Sequence, residues 1–420
     1  MGKEIYTERA DLFDPNIYIQ FLIDITGSPS EEELIAAIQK AFTANEVTMS
    51  RIVIDLDGKA YYEAMEQSGC KVSISNQDWL EIIAENEKVP FAINQGELIR
   101  VFIIRKDVKV SLLIVAHHIA GDGKSLVYFI EDIMNSLSGK EVPYKPLVLY
   151  DVNTLPNECN LSLVYKIYAD FFNKQWAKNE RSFSMEDYYS VHQKYWEGNY
   201  SVIFTEKFSA NEVNNIVIKA KEENISVNSL IVGAFLKADT RIKIVGLAVD
   251  GRIDRNRSMS NQATGVKVKI KSKKNRSVAD SAKSFQKRLH KKLNNPKKKF
   301  LILKFMPLLS KTLVDSVLMY VNGLFYNPTT EKLAKVMGYV GENSNEISVS
   351  NLTRLDIPNQ YGRFRIENCM FIPPVISYAR RVVGVATMED GMIISYHVMC
   401  GKDEVKEKDK FKQAMEILRR

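Results

Sequence analysis

Hydrophobic residues along this chain follow two periods, and the places where one gives way to the other mark its elements. Short, mostly β-branched runs at 17–23, 52–54, 98–105, 112–116, 244–249, 347–352, 382–386 and 392–398 predict strands. Between them, apolar residues recur every three or four positions. Leu34, Ile35, Ile38 and Phe42 form one helical face, opened by Ser30 and Glu33 at capping-box spacing. Leu126, Phe129, Ile130, Ile133, Met134 and Leu137 form a second, and residues 227–236 and 408–418 predict two more helices. The aromatic-rich stretches 165–176 and 188–196 are expected to be helical too, after an irregular connection marked by Pro143, Pro146 and Pro156. Asp57-Gly58 and Asp390-Gly391 predict two-residue hairpin turns. Residues 300–326 are strongly apolar, but Lys304, Lys311 and Asp315 interrupt them and Pro307 breaks a continuous helix. A pair of core helices is expected there, rather than a membrane span or a helix lying on a membrane surface.

The run 112–116 is apolar at every position, so it reads as a strand buried on both faces. It leads directly into His117-His118-Ile119-Ala120-Gly121-Asp122-Gly123, and the second helical face begins at once. The chain holds five histidines, and two of them are adjacent here. A histidine leaving a buried strand has its ring held by its surroundings and titrates near neutrality, which suits a general base. The same placement also suits a hydrogen-bonded core histidine, and the Asp-Gly turn favours the catalytic alternative. Successive strand residues point to opposite faces, so His117 and His118 do not readily share an ion. No metal site is expected.

These residues match the H-H-x-x-x-D-G signature, and the chain thereby resembles the thioester-dependent acyltransferases: chloramphenicol acetyltransferase, condensation domains, alcohol acetyltransferases and polyketide-associated acyltransferases. The resemblance implies an α/β fold of two chloramphenicol-acetyltransferase-like lobes, each a mixed β-sheet packed with helices, with an active-site channel between them. It implies that His118 is the catalytic base and that His117, Asp122 and Gly123 shape the site. Asp122 would pair with an arginine, and Gly123 would leave room for the donor's pantetheine arm. Ser125 matches a serine that often follows the signature in condensation domains.

Weaker matches lie in the second half. Residues 227–236 look like the helix that opens the second lobe in condensation-type enzymes. The strand at 244–249 ends in Asp250-Gly251-Arg252 and leads to Asn261-Gln262, which makes Arg252 the expected partner of Asp122. Residues 347–352 look like the Ser-Asn-Leu-Gly segment of alcohol acetyltransferases, so Ser350 and Asn351 are expected to line the substrate channel or donate to the oxyanion. Three features depart from the pattern. Residues 45–51 replace the family's His-Pro-x-Leu-Arg segment, Thr353 stands where glycine is usual, and the plant-type Asp-Phe-Gly-Trp-Gly signature is absent.

A length of 420 residues exceeds what one hydrophobic core usually serves. Residues 1–165 are expected to form an N-terminal lobe carrying the motif, 166–200 a bridge, and 201–420 a C-terminal lobe. Hydrophobic residues at 45% and charged residues at 26% exclude a disordered chain. No secretory or transit pattern is visible at the start, Tyr6 spoils a myristoylation match, and the four cysteines have no paired spacing. A reduced cytoplasmic monomer with no membrane span is the simplest expectation.

The net charge of +7 gathers in Lys271, Lys273, Lys274 and Arg276, and again in Lys287, Arg288, Lys291, Lys292, Lys297, Lys298 and Lys299. Without interleaved aromatics or a nucleic-acid motif these read as solvated faces, or as a dock for coenzyme A phosphates or an acidic carrier protein. No nucleic acid partner is expected. No cofactor is expected to reside in the protein; acyl-coenzyme A or an acyl-phosphopantetheine carrier would enter as the donor, with a small-molecule hydroxyl or amine as acceptor. A stand-alone condensation enzyme joining carrier-bound units, as in natural product biosynthesis, and a non-catalytic carrier-docking module are the alternatives.

Overall fold

The computed structural model describes residues 2–106, 109–151, 153–254, 256–270, 276–340, 345–400 and 403–420. Of the first basic cluster, Lys271, Lys273 and Lys274 lie outside the described residues.

The first half of the chain contributes strands β1 (Lys3–Glu4), β2 (Tyr18–Thr26), β3 (Ser50–Ile54), β4 (Ala60–Ala64), β5 (Lys71–Ser75), β6 (Ile99–Lys106) and β7 (Lys109–His117). The second half contributes β8 (Tyr200–Ser209), β9 (Ile244–Asp250), β10 (Ala263–Lys269), β11 (Glu346–Arg354), β12 (Gln360–Tyr361), β13 (Phe364–Ile372), β14 (Arg381–Met388) and β15 (Gly391–Cys400). The helices of the first half are α1 (Arg9–Leu12), α2 (Glu31–Ala44), α3 (Trp79–Asn86), α4 (Gly123–Leu137), α5 (Leu163–Trp176) and α6 (Met185–Trp196). Those of the second are α7 (Ala210–Glu222), α8 (Val227–Ala238), α9 (Val278–Leu293), α10 (Pro296–Lys299), α11 (Leu301–Phe305), α12 (Lys311–Val321), α13 (Pro328–Met337) and α14 (Glu404–Arg419).

Two mixed six-stranded sheets dominate, in the orders β12-β13-β2-β7-β6-β5 and β10-β9-β11-β14-β15-β8. In the first, β5 and β6 run parallel while the other neighbours are antiparallel. In the second, β11 runs parallel to both β9 and β14. Each sheet has its own core. Phe21, Ile114, Leu126, Phe129 and Ile133 belong to the first, and Leu230, Phe235, Val245, Val383 and Ile394 to the second.

The sheets do not follow the two halves of the sequence. After β11 the chain leaves the second sheet, and β13 pairs antiparallel with β2, with Phe371 opposite Phe21, before β14 returns to the second sheet. Phe371 and Ile372 are buried in the first core as a result.

Local signals give the elements their ends. Ser30 and Glu33 form a reciprocal capping box on α2. Residues 55–59 close the β3–β4 hairpin as a five-residue loop in place of the predicted two-residue turn: the Asp55 N–H donates to Lys59 O at 2.8 Å, and the Asp55 carboxylate accepts from the Lys59 N–H at 2.8 Å. In the apolar stretch 300–326, α11 gives way at Pro307 to a single tight turn before α12. No helix among the described residues is long and apolar enough to cross a membrane.

Candidate active site

Strand β7 lies inside the first sheet between β2 and β6, and residues Leu112 to Ala116 are wholly buried. His117 ends the strand, and its backbone N–H donates to Leu98 O at 3.0 Å. Its ring faces inward, 0% exposed, among Tyr18, Phe91 and Tyr188 at centroid distances of 5.9, 6.0 and 6.3 Å. Nδ1 accepts from the Ile119 N–H at 3.3 Å, which pins the turn that follows. Burial, reinforced by the positive charge a protonated His118 would bring, pushes the His117 pKa down to about 3, so this ring is neutral. Its fixed acceptor role is architectural.

His118 points the other way. Its N–H donates to Ile17 O at 3.0 Å, its C=O accepts from Gly121 N at 3.1 Å, and 16% of its side chain is exposed. The tight turn requires glycine at 121, where a Cβ would come within 2.8 Å of Ser125 Cβ. Gly123 is required by close approach instead: a Cβ there would press on Leu352 and Phe371, each at 3.1 Å. Both neighbours come from the second half of the chain.

Asp122 caps α4, its Oδ1 accepting from Ser125 N at 2.8 Å. Arg252 grips the same carboxylate with both terminal nitrogens, at 2.9 and 3.1 Å, and also donates to Ser125 Oγ at 2.8 Å. The backbone N–H of Gln262 adds a further bond to Asp122 Oδ2 at 3.0 Å. Only 5% of the Asp122 side chain and 4% of that of Arg252 are exposed, so this is a buried, bidentate pair. Burial disfavours the Arg252 charge, but Asp122 and Asp250 together outweigh it and hold its pKa above the ordinary value. Lys124 to Asp250, at 3.1 Å, and Ser125 Oγ to Ser260 O, at 2.8 Å, join the same two segments.

Sequence reasoning missed Asp11. Its Oδ2 lies 3.9 Å from His118 Nδ1, and Asn261 Nδ2 donates to that oxygen at 2.7 Å. Glu8 and Asp14 flank it on the same segment. Burial raises the Glu8 pKa to about 8 and that of Asp14 to about 7, and raises Asp11 as well, against the opposing pull of His118 and Asn261. No spacing rule would have singled out Asp11, because acidic residues on a short helix ordinarily face water.

Ser350 and Asn351 reach a cleft of about 410 Å³, whose wall also includes Asp122, Gly123, Arg252 and Leu289. His117 and His118 are not on that wall. The Asn351 amide is engaged, donating to Asn228 Oδ1 at 3.2 Å and accepting from Thr353 N at 2.7 Å. A β-bulge interrupts the β11–β14 pairing between Asn351 and Arg354, and Thr353 inside it has φ +61°. The residue standing in place of the usual glycine therefore adopts the backbone conformation that glycine favours, at a cost for a β-branched side chain. Leu289 and Leu293 of α9 also line the cleft, so the lysines of the second basic cluster on α9 stand on a helix that forms its wall.

The two mixed sheets, with a strand crossing from the second half into the first sheet, form a chloramphenicol-acetyltransferase-like fold that solved acyltransferases and condensation domains share. Particular solved structures share it along nearly their whole lengths. The trichothecene 15-O-acetyltransferase from Fusarium sporotrichioides aligns over 99% of this chain and 94% of its own, with a TM-score of 0.67 at 14% identity. Polyketide synthase associated protein 5 from Mycobacterium tuberculosis aligns over 99% and 97%, with a TM-score of 0.62 at 13% identity. The first condensation domain of the CDA synthetase aligns over 98% and 93%, with a TM-score of 0.62 at 13% identity. No family model matches the chain.

Proposed function

We propose that the protein is an acyltransferase that moves an acyl group from a thioester donor, coenzyme A or an acyl carrier protein, to a hydroxyl or amine acceptor. The observation that carries this reading is the division of labour between adjacent histidines: His117 is sealed and neutral, while His118 is partly open on a turn braced by Asp122 and Arg252. His118 takes the proton of the acceptor as its oxygen or nitrogen attacks the thioester carbonyl. The tetrahedral intermediate collapses, the carbon–sulfur bond breaks, and the imidazolium returns the proton to the departing thiolate. Asp122 and Arg252 hold the turn in shape and transfer no proton. The cleft lined by Gly123, Ser350 and Asn351 suits the donor's arm, and the exposed lysines of α9 and α10 suit its phosphates or an acidic carrier. Engagement of the Asn351 amide leaves Ser350 as the better candidate for an oxyanion donor.

Thiol release from a panel of acyl-coenzyme A and acyl-carrier donors, with and without alcohols and amines, tests the reading. Release that depends on an alcohol or amine is expected, and His118→Ala should lower turnover by roughly 10² to 10⁴. Asp122→Asn should mainly reduce the yield of folded protein and its melting temperature. Release from carrier-bound donors onto carrier-bound amines alone would identify a condensation enzyme. No release from any donor would favour a carrier-docking module.

A further inference from the structure

The base has a neighbour that the signature does not supply. His118 Nδ1 is buried and has no hydrogen-bond partner among the described residues, and Asp11 Oδ2 stands 3.9 Å away. That separation is an ion-pair distance and is longer than a hydrogen bond; catalytic contacts of this kind often tighten only when substrate is bound. Asp11 is held in place from the other half of the molecule. The Asn261 amide donates to it at 2.7 Å, and the same amide accepts from Ala263 N at 3.1 Å, which fixes its nitrogen toward the carboxylate. The next residue, Gln262, holds Asp122 through its backbone. One short loop thus anchors both Asp11 and Asp122.

We propose that Asp11, anchored by Asn261, is a positioning residue for His118: it keeps the proton on Nδ1, turns Nε2 toward the acceptor, and steadies the imidazolium once Nε2 has taken the acceptor's proton. This rests on the reading of His118 as the base. In the step itself, one proton moves from the acceptor to Nε2, the Nδ1 proton stays in place, and Asp11 remains a carboxylate throughout. Glu8 and Asp14 lie along the same segment and Asp122 acts on Glu8 from the motif turn, while Tyr62, Tyr339 and Tyr378 bring hydroxyls from other elements. Among the described residues, Asp11 is the one of these carboxylates at ion-pair distance from the ring, and the Asn261 side-chain amide from the second half holds it there.

The test is a titration of the five histidines in the full-length protein labelled with ¹³C at the ring Cε1, the His118 signal being assigned by its loss in His118→Gln. In Asp11→Asn the midpoint of His118 should fall by about one pH unit, and Asp11→Glu should restore most of it. With a donor and acceptor found in the panel, the acidic limb of the kcat/KM profile should move down by the same amount while its plateau drops roughly 10-fold or more. Asp11→Ser serves the same purpose if the asparagine variant folds poorly. A midpoint and an acidic limb that both stay at their wild-type values overturn the proposal, as does a plateau that falls with no shift. The ring titration needs no substrate, so failure of the acyltransferase reading would appear separately, as absent thiol release with the Asp11 coupling intact.

Discussion

Two histidines in this protein each stand beside a carboxylate contributed by another part of the chain, and their surroundings differ. His397 on β15 is 0% exposed; its Nδ1 donates to the Pro373 carbonyl at 2.9 Å, and its Nε2 lies 3.2 Å from Glu87, just after α3. Ser201 and Gln20 also donate to that glutamate, at 2.5 and 3.4 Å, so the sealed pair and its partners join the two halves through five segments. His118 and Asp11 also depend on both halves, through Asn261, but 16% and 14% of their side chains remain open. The same chemical partners are sealed in one place and partly open in the other, and the proposed function assigns chemistry only to the open pair. Burial decides between the two roles, because a sealed ring has no route for the proton it would have to exchange.

The largest effect that would sharpen this contrast is a crossed pair of substitutions. His397→Ala leaves Glu87 buried without its partner and should cost about 3 to 5 kcal/mol of stability, measured by urea unfolding. His118→Ala should cost less than about 1 kcal/mol in the same assay while removing most of the turnover. Equal stability losses from the two would erase the distinction drawn here.

A smaller effect comes from the carboxyls around the open pair. Burial raises Glu8 to about 8 and Asp14 to about 7, so between their unfolded values and these the folded state binds more protons than the unfolded chain. Their contribution to stability is therefore full at low pH and is lost as pH rises through 7 and 8. His117 and His192, pushed down by burial to about 3 and about 4, slope in the opposite sense, but only below the ordinary histidine pKa of about 6.5. Between pH 6.5 and 8 wild-type stability should fall with rising pH, by at most about 1.4 kcal/mol per unit for each titrating carboxyl. Glu8→Gln should flatten that slope; an unchanged slope would show that Glu8 is not the group responsible.

The smallest effect concerns the cleft. Thr353→Gly removes the left-handed strain of about 1 to 2 kcal/mol and adds back about 0.5 to 1 kcal/mol of unfolded-state entropy. A net gain of about 0.5 to 1 kcal/mol is expected, read as a higher melting temperature, with the His118-dependent turnover retained.

Much of this was legible before any coordinates. The buried strand 112–116, the capping box at Ser30 and Glu33, and the β14–β15 hairpin follow from period and turn chemistry that act within a few residues, although the two-residue turn falls on Glu389-Asp390 and Gly391 already pairs with Met388 in β15. Arg252 was singled out through a resemblance, and the geometry sets it against Asp122 across 130 residues of chain. Asp11 escaped because its significance arises only where Asn261, 250 residues away, folds against it. The five-residue loop after Ile54 escaped because Asp55 closes it from outside the Asp-Gly pair, accepting from the Gly58 and Lys59 N–H groups and donating to the Lys59 carbonyl. The passage of β13 into the first sheet escaped because its polar Arg365, Glu367 and Asn368 hide the strand itself, and a strand's own residues carry no mark of which sheet it will join.

That passage bears on how the protein can be handled. A chain cut near residue 200 would deprive β2 of its partner β13 and expose an apolar edge where Phe371 and Ile372 had been packed. The second fragment would carry the same strand with no sheet to receive it. The two six-stranded sheets have separate cores in space, but no single cut along the sequence separates them into two pieces that each keep a complete sheet.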